Sequence, residues 1–358
     1  MAGTIAIANL SVNPLRILRR LLHVREFILV VAFFVICFGI ALREPRFLQF
    51  SNLEQVALSA CLVLIVAVGQ ALVIIARQID ISVGANVAVS AFLSAQWLEG
   101  NPEGSVLVVL AIACSTGLVL GIGNALAVAV FRVPAIVATL GTLAIYRGGA
   151  ILIAEGRQIS ATALPDSYEG ITDIDLAGLP LLVWLALLVT LVFALIMRYT
   201  RFGRNLYALG SDPENARIAG IDERWHLGMT FAICGLLCGL VGFLWGARFG
   251  TVDSTIAPEL HIETISAVVV GGVSIFGGSG TVLGAVIGAL IFAVLQNGVQ
   301  LLGISQFWLQ AVLGGAILAT VLFYGTLARR AERHERESRR RPVLVRLAGA
   351  ARPGDPER

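Results

Sequence analysis

Ten apolar stretches separated by short polar joints set the terms for this chain. A bilayer core of about 30 Å takes roughly 20 residues of helix, with a range of about 17–25. Read against that ruler, candidate spans fall at 27–42, 55–76, 80–98, 105–131, 134–154, 177–198, 228–249, 262–276, 281–302 and 306–327. The first and eighth are short for a crossing. The runs lack the alternation of lipid-facing and lumen-facing residues that a membrane β-barrel needs. Helices therefore remain, because only they satisfy the backbone within one open segment in lipid. Composition agrees: 57% of the residues are hydrophobic and 14% charged, where soluble domains average about 45–50% and about 25%. The expectation is an all-α polytopic unit over 27–327, preceded by a segment at 1–26 and followed by a tail at 328–358.

Arginine sets the orientation. Every one of the 26 basic residues is Arg. Those before the first span, in the loop after the sixth (198–224), at the span ends Arg77 and Arg132, and in the tail make 21 that fall on one side. Only Arg43, Arg46, Arg147, Arg157 and Arg248 fall on the other. The positive-inside bias makes the first side cytoplasmic and puts both termini there, which requires an even number of spans, as ten is. The opposite loops are acidic, with Glu155, Asp166, Glu169, Asp173 and Asp175 in one and Asp253 and Glu259 in another. Solvation accounts for such a surface, and so does docking of a protein from outside.

The absence of lysine removes one activity outright. A phosphate-binding loop of the form G-x-x-x-x-G-K-[ST] needs that lysine, so any ATP used must be hydrolysed by a partner. No cofactor of the chain's own is expected. The five cysteines all lie in apolar runs and read as small packed hydrophobes. The four histidines are scattered without ligand spacing. No nucleophile–base pair or metal cluster marks an enzyme, and no nucleic-acid partner is expected. The stretch PLRILRRLLHVRE before the first span has apolar residues at 15, 18, 21 and 22 between arginines. It reads as a membrane-surface helix or equally as a frayed basic tail, and not as a cleavable signal. The Arg-, Glu- and Pro-rich tail reads as partly disordered.

The loop 199–227 is the polar exception. Within it, SDPENARIAGIDERWH places Ser211 or Asp212 as a helix cap, Pro213 at the first helical position and Glu214 three after Ser211, as a capping box would have it. Gly220 suits the C-terminal end. A short, self-capped helix results, too charged for lipid, with Ile218, Ala219 and Ile221 as a narrow apolar ridge. Such a knob fits the cleft of another protein.

The stretch RFGRNLYALGSDPENARIAGI resembles the cytoplasmic loop of sugar-type ABC importer permeases, the group serving ribose, xylose, rhamnose and similar solutes. Three more stretches are similar to that family in the right order. IDISVGANVAVSAFLSA (79–95) looks like its I-D-L-S-V-G segment, VPAIVATLGTLAIYRGGAIL (133–152) like its V-P-x-x-x-A-T-L-G-T…R-G stretch, and ETISAVVVGGVSIFGGSGTVLGAVIGALI (263–291) like its glycine-rich pattern. Together they span most of 50–325. The resemblance implies a permease of the bacterial inner membrane, paired with a second copy or paralogue. It further implies a cytoplasmic ABC ATPase that uses ATP and Mg, and a periplasmic sugar-binding protein. On this likeness Asp212, Pro213, Glu214, Asn215, Ala216, Arg217, Ile218, Ala219 and Gly220 form the coupling helix. Two departures stand out. Arg77–Gln78 replace the family's usual Gly-Gly before Ile79–Asp80, as in the branch handling deoxyhexoses or quorum-signal sugars, and Ala135 replaces a second proline.

Polar groups inside the runs are candidates for the path or its gate: Asp80, Ser82, Asn86, Asn124, Thr139, Thr142, Glu263, Ser266 and Asn297, beside Gln296. An intramembrane carboxylate is costly and must face protein or water. For Asp80 the plainer role is to cap the third run by accepting from backbone N–H groups near Ser82 and Val83. For Glu263 it is an interfacial carboxylate. The neutral groups bond neighbouring helices or line a passage for a hydroxylated solute. Glycines 271–280 suit a tight turn, and the pairs Gly235/Gly239 and Gly284/Gly288 suit close helix contact. An ion-coupled secondary transporter is the rival reading, needing buried ion sites and interrupted helices. The related branched-chain amino-acid branch is the nearest competitor within the permeases.

Overall fold

The computed structural model describes residues 25–305 except residue 173, together with helical positions 308, 311, 314, 315 and 318. Residues 1–24 of the N-terminal segment, most of the tenth candidate span and the tail lie outside the described residues. Among the described residues, seven helices are long and apolar enough to cross a bilayer. They are α1 (Arg25–Arg43), α2 (Phe50–Ile75), α4 (Val106–Ala125, continued by a π-helical turn Leu126–Val130), α5 (Ala135–Ala154), α7 (Leu181–Tyr199), α10 (Glu223–Phe249) and α12 (Val282–Leu301). Helix α3 (Val83–Gly100) is 18 residues long and about 27 Å by its rise per residue. Its polar positions Asn86, Ser90 and Ser94 are buried in protein rather than turned to lipid.

Helix α2 is the axis of the bundle. It is buried along almost all of its length and packs against α10, α12 and α7. Around it, α10 also packs on α3 and α4. The outer helices leave apolar faces open: Val119 and Ile122 on α4, Ile145 and Leu152 on α5, Leu187 and Leu191 on α7. In water these faces would be a liability, whereas in hydrocarbon they are ordinary.

Glycine sets the closest contacts. Helices α4 and α10 cross where Gly117 and Gly121 meet Gly235 and Gly239. A Cβ added to Gly121 would lie 2.6 Å from the Phe231 carbonyl oxygen, and one added to Gly235 would lie 2.6 Å from Gly121 Cα. Gly284 and Gly288 of α12 meet the backbone of Gly271 and Ala267 in the same way. Both small-residue pairs thus sit at helix contacts, where lipid gives no hydrophobic drive and backbone approach does the work.

The eighth run departs from the sequence reading. Helix α11 covers only Leu260–Val270, 11 residues, roughly 16 Å of rise, which is half a crossing. Its expected continuation to 276 is instead a glycine turn, with Gly272, Gly277, Gly278 and Gly280 all at positive φ. Before it, residues 251–259 run without helix. This segment is stitched to the loop after α5 by paired bonds between Ile159 and Val252, both 2.9 Å. It then passes the start of α3, where a Cβ on Gly84 would lie 2.5 Å from the Ala257 carbonyl oxygen. Arg147 of α5 donates to the carbonyls of Ser254 and Ile256, each at 3.0 Å. Arg147 thereby supplies partners to two carbonyls of a stretch that has no helix or sheet of its own to satisfy them.

The acidic loop between α5 and α7 is folded down on the bundle. It holds a one-turn helix α6 (Asp166–Glu169) and a two-residue hairpin, β1 (Asp175–Leu176) with β2 (Leu179–Pro180). Its Tyr168 is fully buried and donates to the Phe243 carbonyl at 2.7 Å.

Candidate functional site

Two short helices fill the polar loop on the arginine-rich face. Helix α8 (Arg201–Ser211) starts at Thr200, whose hydroxyl accepts from the Gly203 N–H at 3.3 Å. Helix α9 (Pro213–Ile218) is capped by Asp212, whose Oδ1 accepts from the N–H groups of Glu214 and Asn215 at 3.1 Å each. The Asn215 side-chain amide closes the cap by donating to Asp212 Oδ2 at 2.6 Å. Pro213 holds the first helical position, as read from sequence. The capping box does not form: Ser211 ends α8, with its hydroxyl directed at the Gly278 carbonyl 3.4 Å away, and Glu214 is only two residues past the true cap. The helix ends on Gly220 at φ +80. Gly220 N–H donates to the Arg217 carbonyl and Ile221 N–H to the Ala216 carbonyl, both at 3.0 Å, the paired bonds of a Schellman end. Ala216 is buried beneath the helix, while Ile218 stands 78% exposed.

This knob is bolted to the spans. At the end of α8, a Cβ on Gly210 would lie 2.6 Å from the Gly278 nitrogen and closer still to the Ile75 carbonyl oxygen. Gly278 N–H itself donates to that Ile75 carbonyl at 2.9 Å. Tyr207 adds a bond to the Gly280 carbonyl at 2.8 Å. The end of α2, the glycine turn before α12 and the base of the knob therefore touch backbone to backbone. Arg77 fits into the same junction. It takes φ +64, a left-handed conformation that glycine adopts freely and other residues rarely do. Gly277 makes room for it, since a Cβ there would fall 2.7 Å from Arg77 Cβ. That is how the bend absorbs the departure from Gly-Gly.

Beyond the bend lies a buried polar cluster. Asp80 is 2% exposed and accepts from the Ser82 N–H at 2.8 Å, the Ser82 hydroxyl at 2.7 Å and the Asn124 amide at 3.1 Å. Asn124 also donates to Ser82 Oγ at 2.7 Å. Thr139 joins from α5, its hydroxyl 2.8 Å from the Ala135 carbonyl and 3.2 Å from that of Ile79. Asn86 binds the Gly117 carbonyl at 3.2 Å and Thr142 the Thr139 carbonyl at 3.3 Å. Asp80 accepts from the N–H of Ser82, the residue before α3, and among the described residues from no N–H inside that helix; the cluster ties α3, α4 and α5 to one bend. Among the described residues no hydrogen bond joins Glu263, Ser266 or Asn297 to it. Ser266 bonds its own helix at the Ile262 carbonyl (2.5 Å). Asn297 forms a reciprocal amide pair with Asn52, at 3.0 and 2.8 Å, and Gln296 is half-buried beside it.

Sequence reading passed over two residues. Gln70 sits in the middle of α2 at 0% exposure with neither amide atom bonded among the described residues. It was legible as a polar residue in the second run. Arg147 counted only as a charge, and nothing local announced that it would hold a segment 107 residues away.

A family model described as the permease component of the branched-chain amino acid transport system matches residues 52–322. The chain belongs to this permease family. The match begins in the first turn of α2 and runs past α12. Among curated proteins, the permease is similar to the autoinducer 2 import system permease protein LsrC of Salmonella typhimurium, 32% identical over 288 residues, covering 79% of this chain and 81% of that one. It is similar to the LsrC proteins of Photorhabdus luminescens, 32% identical over 284 residues (78% and 84%), and of Escherichia coli O9:H4, 32% identical over 300 residues (83% and 85%). No solved structure matches the chain. The chain is thus a multi-pass transport subunit of the inner membrane, not an enzyme.

Proposed function

We propose that this permease forms the path of an ATP-driven, binding-protein-dependent importer of a monosaccharide, with autoinducer 2 the first solute to test. Asp212 to Gly220 is its coupling helix. The carrying observation is α9: a helix of six residues, capped at both ends, presenting an exposed Ile218 and following directly on α8, whose Gly210 contacts the end of α2 and the turn before α12. A push on that knob reaches two transmembrane elements through backbone, with no flexible side chain between. The arginine-rich face is then cytoplasmic, the ATPase binds there, a binding protein docks on the acidic loops opposite, and a second permease completes the path. The names of the relatives support the solute, as does Arg77–Gln78 at the bend.

The half helix α11 with the non-helical chain before it, and the candidate carboxylates Asp80 and Glu263, are what an ion-coupled secondary transporter would use. Asp80, however, is engaged with three donors, which leaves it a poor ion site. The experiment is uptake by cells expressing the permease with its neighbouring ATPase and binding protein. Labelled autoinducer 2, rhamnose, ribose, xylose and leucine serve as solutes, with and without an ionophore. Uptake that survives the ionophore but stops when the ATPase is inactivated supports the proposal, and the reverse pattern overturns it. Leucine as the preferred solute would move the chain to the amino-acid branch.

A further inference from the structure

Past the glycine crossing of α4 and α10, toward the arginine-rich face, a groove of about 500 Å³ opens between the two helices. Its walls are apolar, with Leu118, Ile122 and Leu126 on one side and Met229, Ile233 and Leu236 on the other. It faces outward: Ile122, Leu126, Met229 and Leu236 are 37–47% exposed. From Leu236 to Trp225 is eleven residues, roughly 16 Å of helix rise, and one leaflet of hydrocarbon is about 15 Å deep.

The arginine-rich end of the groove is charged. Arg224 lines both the groove and a second cavity of about 330 Å³, which Arg132, Arg217 and Gln78 also line. Glu223 is the acidic residue among its described lining, and Glu214 lies beside Arg217. Among the described residues Arg132 and Arg224 make no ion pair, and Arg217 only a 3.9 Å one with Glu214. Trp225 stands at the junction, 51% exposed, as indoles do at headgroup level. The π-helical turn Leu126–Val130 shapes the α4 wall at this point; such turns are frequent at functional sites.

An apolar slot one leaflet deep that ends in three arginines, of which only Arg217 has a long ion pair, is complementary to one kind of molecule. The geometry points to a binding site for an anionic phospholipid, its acyl chain in the groove between α4 and α10 and its phosphate between Arg224, Arg132 and Arg217. Charge selects the headgroup, since basic pockets between transmembrane helices attract anionic lipid. The phosphate would bridge Arg217 of the knob to Arg132 and Arg224 at the span ends. The site does not rest on the transport reading.

The test uses the full chain purified alone in mild detergent, offered an equal mixture of phosphatidylglycerol and phosphatidylethanolamine, with retained lipid measured by mass spectrometry. Wild type should retain phosphatidylglycerol in preference. Arg224→Gln should lower that retention about five-fold, the effect of one cation at a membrane surface. Gly228→Leu should lower it comparably with every arginine in place, because a Cβ at this groove-lining position meets nothing within 4 Å and the side chain can enter the slot. Absence of preference in the wild type, as when a second copy or an acidic protein segment fills the groove, overturns the assignment. Loss in Arg224→Gln alone would leave only an anion site, and loss in Gly228→Leu alone only a greasy surface; either refutes it. Since no ATPase is present, failure here leaves the transport reading untouched, and the converse holds.

Discussion

Gly220→Ala isolates the knob from everything else in the molecule. At φ +80 the residue is left-handed, and a Cβ there would meet nothing within 4 Å. The substitution therefore adds no clash. Its cost is the backbone conformation alone, roughly 1–2 kcal/mol for an L-residue. Helix α9 has six residues, too few to persist without its ends, because helix nucleation is unfavourable and short helices are marginal. A loss of that size lowers the ratio of formed to unformed helix by about 5- to 30-fold. Gly156 is a matched control: φ +73 and equally open surroundings, but in the loop after α5 on the opposite face. Hydrogen exchange at the Gly220 and Ile221 amides reads the helix end directly. ATP hydrolysis by the assembled transporter with its binding protein reads coupling. Gly220→Ala should speed exchange within the predicted range and reduce stimulated hydrolysis, while Gly156→Ala does neither and both variants insert normally. Unchanged exchange would refute the backbone energetics. Faster exchange with full coupling would refute the role of the knob.

Three further outcomes follow from the packing. Gly235→Val drives a branched side chain into the Gly117–Gly121 backbone; overpacking costs about 1–3 kcal/mol, so melting in detergent should fall by several degrees, and an unchanged melt would mean the α4–α10 crossing is looser than described. Asp80→Ala strands the Ser82 N–H and hydroxyl in a buried bend and leaves the Asn124 amide only Ser82 Oγ, costing about 1–3 kcal/mol; Asp80→Asn should recover part of it, and wild-type stability in the alanine variant would argue that water reaches the site. A double-mutant cycle on Asn52 and Asn297 should give a coupling of about 0.6 kcal/mol, at most about 1.7, as for other interhelical bonds in bilayers; zero coupling would mean the reciprocal amide pair is not populated.

The sequence alone settled the solvent and the class of architecture. Runs of about 20 apolar residues and an arginine bias are local properties, and lipid converts them directly into helices because unpaired backbone cannot stand in hydrocarbon. The ends of α9 were legible for the same reason: Asp212, Pro213 and Gly220 act on their own few residues. What reading along the chain mislaid was long-range. The eighth run looked like one span, yet its length was divided between a half helix and a glycine turn by contacts with α2 and α8. Asp80 acquired its character from Asn124, 44 positions away, and segment 251–259 from Arg147. The seat of the knob at Gly210, Ile75 and Gly278 and the groove between α4 and α10 exist only where separate helices meet. Hydropathy and capping are sums over neighbours in sequence, so they survive without coordinates; a backbone contact or a cleft between two helices is fixed by their crossing, which only the assembled bundle determines.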